Sequence, residues 1–140
     1  MSKRKILISA YACSPYHGSE PGVGWNYIYN MSNDFEIHVI VEKVKWEKEI
    51  LKFKAENCDE LKNIYFYFIP KKRNKILRKI WPPSYYWFYN NWQKKAFKLA
   101  GKLESIHNFD IMHSLIWLIF VGLVIFLNLG NHLFGDLLVV

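Results

Sequence analysis

The spacing of apolar and polar positions changes period several times along this chain, and each change marks an element. "KILISAYA", from Lys5, is a short apolar run of the kind found in a central parallel strand. A turn-rich loop follows. Trp25, Ile28 and Tyr29 are then spaced for one face of a helix over residues 22–31, with Pro21 placed at its start. "FEIHVIV", residues 35–41, alternates and then turns fully apolar, which predicts a second strand. Over residues 45–62 Trp46, Ile50, Leu51 and Phe53 gather on one side with charges opposite, the signature of an amphipathic helix. "NIYFYFIP" reads as a third strand, residues 85–107 as a helix entered after Pro82 and Pro83, and "FDIMHS" as a fourth strand carrying His113 near its end. Alternation of this kind requires right-handed crossovers, so the fold class expected is α/β: a Rossmann-like parallel sheet flanked by helices.

Composition narrows the picture. The chain has 140 residues, 51% of them hydrophobic and 18% aromatic, enough apolar surface for the core of one domain and too much for a disordered chain. Cys13 and Cys58 stand far apart in no metal-like spacing, which favours a reduced, cytosolic protein with no metal site. The basic start is followed by too short an apolar run for a secretory signal. Net charge is +7, and residues 71–102 hold no Asp or Glu at all. That asymmetry suggests an anionic partner, although a solvated basic face gives the same composition.

The loop "ACSPYHGSEPGVGW" sits where open α/β sheets bind ligands, between the first strand and the first helix. Gly18, Gly22 and Gly24 allow close approach of backbone to a ligand, and a free helix start favours an anion. Glu20 is an odd neighbour for a phosphate; it could accept from sugar hydroxyls or cap the helix. The dinucleotide fingerprint is absent, and the only acid near the end of the second strand is Glu42. Spacing alone leaves a plain structural turn and a ligand-facing loop both open.

The pattern A-C-x-P-x-x-G-S-E-x-x-x-G-W in this loop resembles the first loop of bacterial family-4-type (group 1) glycosyltransferases, which have the two-domain GT-B architecture. "FDIMHSLIW" is similar to the end of the fourth strand in the same proteins, and the resemblance runs from Lys5 to about Phe120. It implies an N-terminal, acceptor-side domain over residues 1–119, with Gly18, Ser19, Glu20, Gly22 and Gly24 lining the floor of a substrate cleft. It implies that His113 projects into that cleft as the candidate catalytic residue. The full-length family moves sugar from a nucleotide-sugar to a glycan or lipid-linked acceptor; the nucleotide-sugar is a substrate, and no cofactor is implied. The donor-binding half is not in this sequence, so the chain alone is expected to be inactive.

Residues 115–135 contain no Asp, Glu, Lys or Arg and would score as a membrane span, although the continuous apolar stretch ends at Leu127. Members of the family carry a polar, proline-containing loop here. If each codon from Phe120 onward is rebuilt from the third base of one residue and the first two of the next, permitted third bases give RRPSYFFKLGKPFIWGPIGG, close to the family pattern. Residues 120–140 are therefore expected to be an aberrant apolar tail produced by a frameshift. The alternative is a genuine anchor.

"KKRNKILRKIWPPSYYWFYNNWQKKAFK" interleaves cations with aromatic rings. Lys71, Lys72, Arg73, Lys75, Arg78, Lys79 and Trp81 are its candidate contacts to an anionic membrane surface, which would place the chain in the cytoplasm, peripheral to the inner face of the membrane. The other reading is a core helix with a wet basic side. No RNP-like motif is present, so nucleic acid is not the expected partner. The rival to a glycosyltransferase fragment is a non-enzymatic membrane protein with a basic cytosolic domain and a C-terminal apolar anchor.

Overall fold

The computed structural model describes residues 2–115 and 137–139. The tail expected at 120–140 lies outside the described residues, apart from the backbone of one short strand. The elements run β1 (Lys5–Ala10), α1 (Ser19–Met31), β2 (Glu36–Glu42), α2 (Lys43–Glu56), β3 (Ile64–Ile69), α3 (Lys75–Ile80), α4 (Ser84–His107), β4 (Ile111–Leu115) and β5 (Leu137–Val139). The strands form one sheet in the order β3-β2-β1-β4-β5, with every adjacent pair parallel. The expected α/β, Rossmann-like architecture is the one found.

The sheet separates two apolar layers, which is why its central strands read as almost unbroken apolar runs. Ile6, Ile8 and Ala10 of β1 and Ile37, Val39 and Val41 of β2 pack on one side with Trp25 and Ile28 of α1 and Trp46 and Ile50 of α2. Leu7, Ile40, Ile69 and Met112 point the other way, under Trp92, Ala96, Ala100 and Leu103 of α4. Those four α4 positions repeat at helical spacing, and small Ala96 and Ala100 let the helix lie close to the strands. Trp92 is fully buried, and its indole N–H donates to the Ile69 carbonyl at 3.0 Å, so the largest ring under α4 leaves no unmet donor.

Several boundaries differ from expectation for identifiable reasons. Helix α1 begins at Ser19 rather than Gly22; Pro21 sits inside the first turn, where its missing N–H forfeits no helical bond. Helix α2 stops at Glu56 rather than near residue 62 because Asn57 caps it twice, through its backbone N–H at 2.9 Å and its side-chain amide at 3.1 Å, both to the Phe53 carbonyl. Leu51 is 49% exposed, not part of the buried stripe, since it lies well around the helix from Trp46 and Ile50. The basic stretch, to which the apolar pattern assigns no element, contains α3. Asn74 starts it by accepting from the N–H groups of Ile76 and Leu77 at 3.1 and 3.0 Å.

Candidate functional site

The turn from β1 into α1 is held by its own contacts. Ser14 N–H donates to the Pro21 carbonyl at 3.1 Å, and the Tyr16 N–H donates to the Ser14 hydroxyl at 3.2 Å. The Ser14 hydroxyl and His17 both bond the carboxylate of Glu49 on α2, the latter at 2.9 Å. Glu49 thus ties the loop to the neighbouring helix, a role no local motif announces. The glycines divide in the same spirit. A Cβ on Gly22 would lie 2.4 Å from the His17 carbonyl oxygen, and one on Gly24 would lie 2.7 Å from that of Ala12. Gly18 has open space around it and is exposed. The protein's own backbone therefore demands glycine at 22 and 24. Ser19, between them and the strand, takes a left-handed φ of 55°, an unusual conformation for a residue with a side chain.

Beside this turn lies a cavity of about 460 Å³ at the carboxyl ends of β1, β2 and β3. Tyr11 and Ala12 follow β1, Ser19, Glu20 and Pro21 come from the first turn of α1, and Lys45 and Trp46 from the start of α2. The opposite wall is Lys71, Lys72, Arg73, Asn74, Lys75 and Arg78, with Ser84, Tyr85 and Phe88 of α4. Ligands of open parallel sheets bind at this end of the strands, because helix starts and loops converge there.

Lys71 is the least expected lining residue. It is only 6% exposed, although it opens the most basic run in the chain. Its ammonium donates to the Tyr11 hydroxyl at 2.8 Å and stands over three rings: Tyr85 at 3.9 Å, Tyr11 at 4.9 Å and Tyr89 at 5.7 Å. Ring faces supply the negative potential that a buried cation would otherwise lack. Burial, reinforced by the positive charges of Arg73 and Arg78, lowers the Lys71 pKa to about 8, with Glu42 pulling it the other way. Tyr11 is held well above its usual range by burial, and Tyr89 is pushed up to about 12 chiefly by burial. Both phenols stay neutral wherever Lys71 titrates.

Glu42, which alone could have served as the acid after the second strand, has another task. It is fully buried, accepts from the N–H groups of Val44 and Lys45 at 2.9 and 3.0 Å, and meets the Arg73 guanidinium at 3.2 Å. It caps α2 and ties the basic segment to the sheet.

The residues expected to form the cleft are brought together only in part. Ser19 and Glu20 line the cavity; burial raises the Glu20 pKa, and Lys45 partly opposes this. Gly18, Gly22 and Gly24 belong to the turn next to it. His113 lies on β4, 5% exposed, on the side of the sheet facing α1. Its Nδ1 is 2.9 Å from the Tyr27 hydroxyl, its Nε2 has no partner among the described residues, and burial lowers its pKa. It is not among the cavity's lining residues. Of the candidate anionic contacts, Lys71, Lys72, Arg73, Lys75 and Arg78 line the cavity, whereas Lys79 and Trp81 lie outside on the exposed part of α3 and its end. Tyr11, Lys45, Ser84 and Tyr85 were not foreseen as site residues. The signal for Tyr11 and Lys45 was their place just past a strand end.

Among the described residues no cluster of His, Cys, Asp or Glu could hold a metal ion, and no helix is long and apolar enough to cross a membrane. No family model, curated protein or solved structure matches the chain.

Proposed function

We propose that the chain is the acceptor-side part of a glycosyltransferase that moves sugar from a nucleotide-sugar to a glycan or lipid-linked acceptor, and that it does not complete the reaction by itself. The observation that carries this reading is the G-S-E-P-G-V-G turn, whose two obligatory glycines draw loop and helix start together at the rim of a cavity. Such a turn presents Ser19 and Glu20 to whatever enters from the strand ends, and Glu20 supplies a carboxylate suited to sugar hydroxyls. A surface for a membrane-borne acceptor adjoins it. Ile76 and Ile80 are 72% and 77% exposed, with Trp81 and Trp87 about half exposed beside a run of Lys and Arg. Large apolar groups framed by cations suit the headgroup layer of an anionic bilayer.

The test begins with the gene. The bases beyond the Phe120 codon are expected to encode RxPS and FIWGPxGG in a second frame, followed by a donor-binding domain. The protein translated from the repaired frame should consume a nucleotide-sugar in the presence of membrane lipid extract, and the 140-residue chain should not. A downstream sequence with no such frame, or a repaired protein that neither binds nor consumes nucleotide-sugars, overturns the reading.

A further inference from the structure

The cavity beside the glycine turn has a charge pattern that its neighbours do not neutralise. Six lining residues are cationic, Lys45, Lys71, Lys72, Arg73, Lys75 and Arg78, and one, Glu20, is acidic. Arg73 has Glu42 as a partner at 3.2 Å; among the described residues none of the other five has a carboxylate within 4.0 Å. Like charges gathered around a cavity raise each other's cost, and an anion inside removes that cost.

The deepest of these cations is prepared for a ligand. Lys71 is buried, has three N–H donors, and spends one on Tyr11. Three ring faces surround the ammonium in place of a carboxylate, so it is left undercommitted. A second buried group has no partner at all. Ser84, fully buried at the first turn of α4, lines the same cavity, and its hydroxyl has no hydrogen-bond partner among the described residues. A buried hydroxyl left unmet is costly, and one that lines a cavity of basic residues is suited to an acceptor oxygen brought by the ligand.

We propose that this cavity is a binding site for a phosphoryl or diphosphoryl group, held by Lys71, Arg78 and the Ser84 hydroxyl, with Lys45 and Lys72 at its mouth. Trp46, Tyr85 and Phe88 line the remaining volume, which receives the group to which the phosphate is attached. At about 460 Å³ the cavity is of the size that takes an organic phosphate of metabolite dimensions. Guanidinium and ammonium groups together with a hydroxyl match the several oxygens of a phosphate better than they match a single carboxylate. The inference concerns this cavity alone and stands whether or not the chain belongs to a sugar-transferring enzyme.

Titration calorimetry of the full 140-residue chain with inorganic pyrophosphate, and separately with orthophosphate, tests it. Pyrophosphate is expected to bind with one-to-one stoichiometry and more tightly than orthophosphate. Lys71→Met and Arg78→Gln should each weaken it about tenfold, as loss of a charge-assisted bond does, and Ser84→Ala by a smaller factor. Lys102→Met, on an exposed turn of α4 away from the cavity, should leave it unchanged. Arg78 is exposed, so its variant tests the site even if Lys71→Met does not fold. A second arm separates a soluble phosphate from a lipid headgroup. If vesicles containing phosphatidic acid bind and pyrophosphate competes them off, the cavity takes the headgroup phosphate. No heat with pyrophosphate, equal weakening by Lys102→Met, or binding of vesicles or single-stranded RNA that pyrophosphate does not displace overturns the proposal.

Discussion

The glycine turn and the basic segment face each other across one cavity, yet they reached that position by opposite routes. In the turn, local sequence dictates conformation: Gly22 and Gly24 have no room for a side chain, and the loop's hydrogen bonds close within about ten residues and one neighbouring helix. In the basic segment, residues of one type in one run meet different fates. Lys71 is buried among tyrosines, and Lys72, one residue on, is exposed. The difference teaches that a backbone constraint is written at the residue that bears it, whereas the fate of a long cationic side chain is written in whatever lies opposite.

Substitutions that add one methyl group should separate the turn most sharply from the helix that follows the basic segment. Gly24→Ala is expected to cost about 2–3 kcal/mol in denaturant unfolding, because the added carbon meets the backbone of Ala12, which cannot rotate away as a side chain can. Gly101→Ala in α4, where nothing lies within 4 Å, should stabilise by about 0.5–1 kcal/mol. Equal effects at the two positions would show that the turn is not held by backbone contact.

The link between the regions comes next. Glu42→Ala removes the cap of α2 and the partner of Arg73 together, and should cost about 2 kcal/mol. Arg73→Ala should cost less than about 1 kcal/mol, since its side chain is 48% exposed and water screens the pair. If the arginine variant is the more damaging of the two, the ion pair rather than the cap carries the connection.

The smallest effect is also the most specific. Lys71 has a folded-state pKa of about 8, below its ordinary value near 10.5, so the unfolded chain binds the extra proton between those limits. Stability should therefore rise with pH from about 8 toward 10, by about 1 kcal/mol once partial screening is allowed for, and be level below 8 with respect to this group. Urea unfolding at pH 7.5 and 9.5 measures it. Lys71→Met should abolish the rise; a slope that survives in this variant assigns it to other groups.

Much of the architecture was legible because periodicity reports burial. The alternation of elements and the buried positions Trp25, Ile28, Trp46 and Ile50 follow from which residues cannot face water, and the parallel sense of the sheet follows from that alternation; the order of its strands does not. Leu51 was misjudged because a helical stripe is narrower than a run of apolar letters suggests. Helix α3 carries no such signal because it is short, buries none of its residues, and its start rests on the Asn74 side chain.

By itself, the sequence determined the strand-to-helix alternation, the glycine positions of the first turn and the concentration of positive charge beyond β3. Those properties belong to single residues or to neighbours along the chain. Only the tertiary structure decided that Glu42 caps a helix, that Glu49 holds the turn, and that Lys71 alone of its run is enclosed by Tyr11, Tyr85 and Tyr89. The physical reason is separation: Tyr11 lies 60 residues before Lys71, and the parallel sheet brings them to 2.8 Å by setting the ends of β1, β2 and β3 side by side.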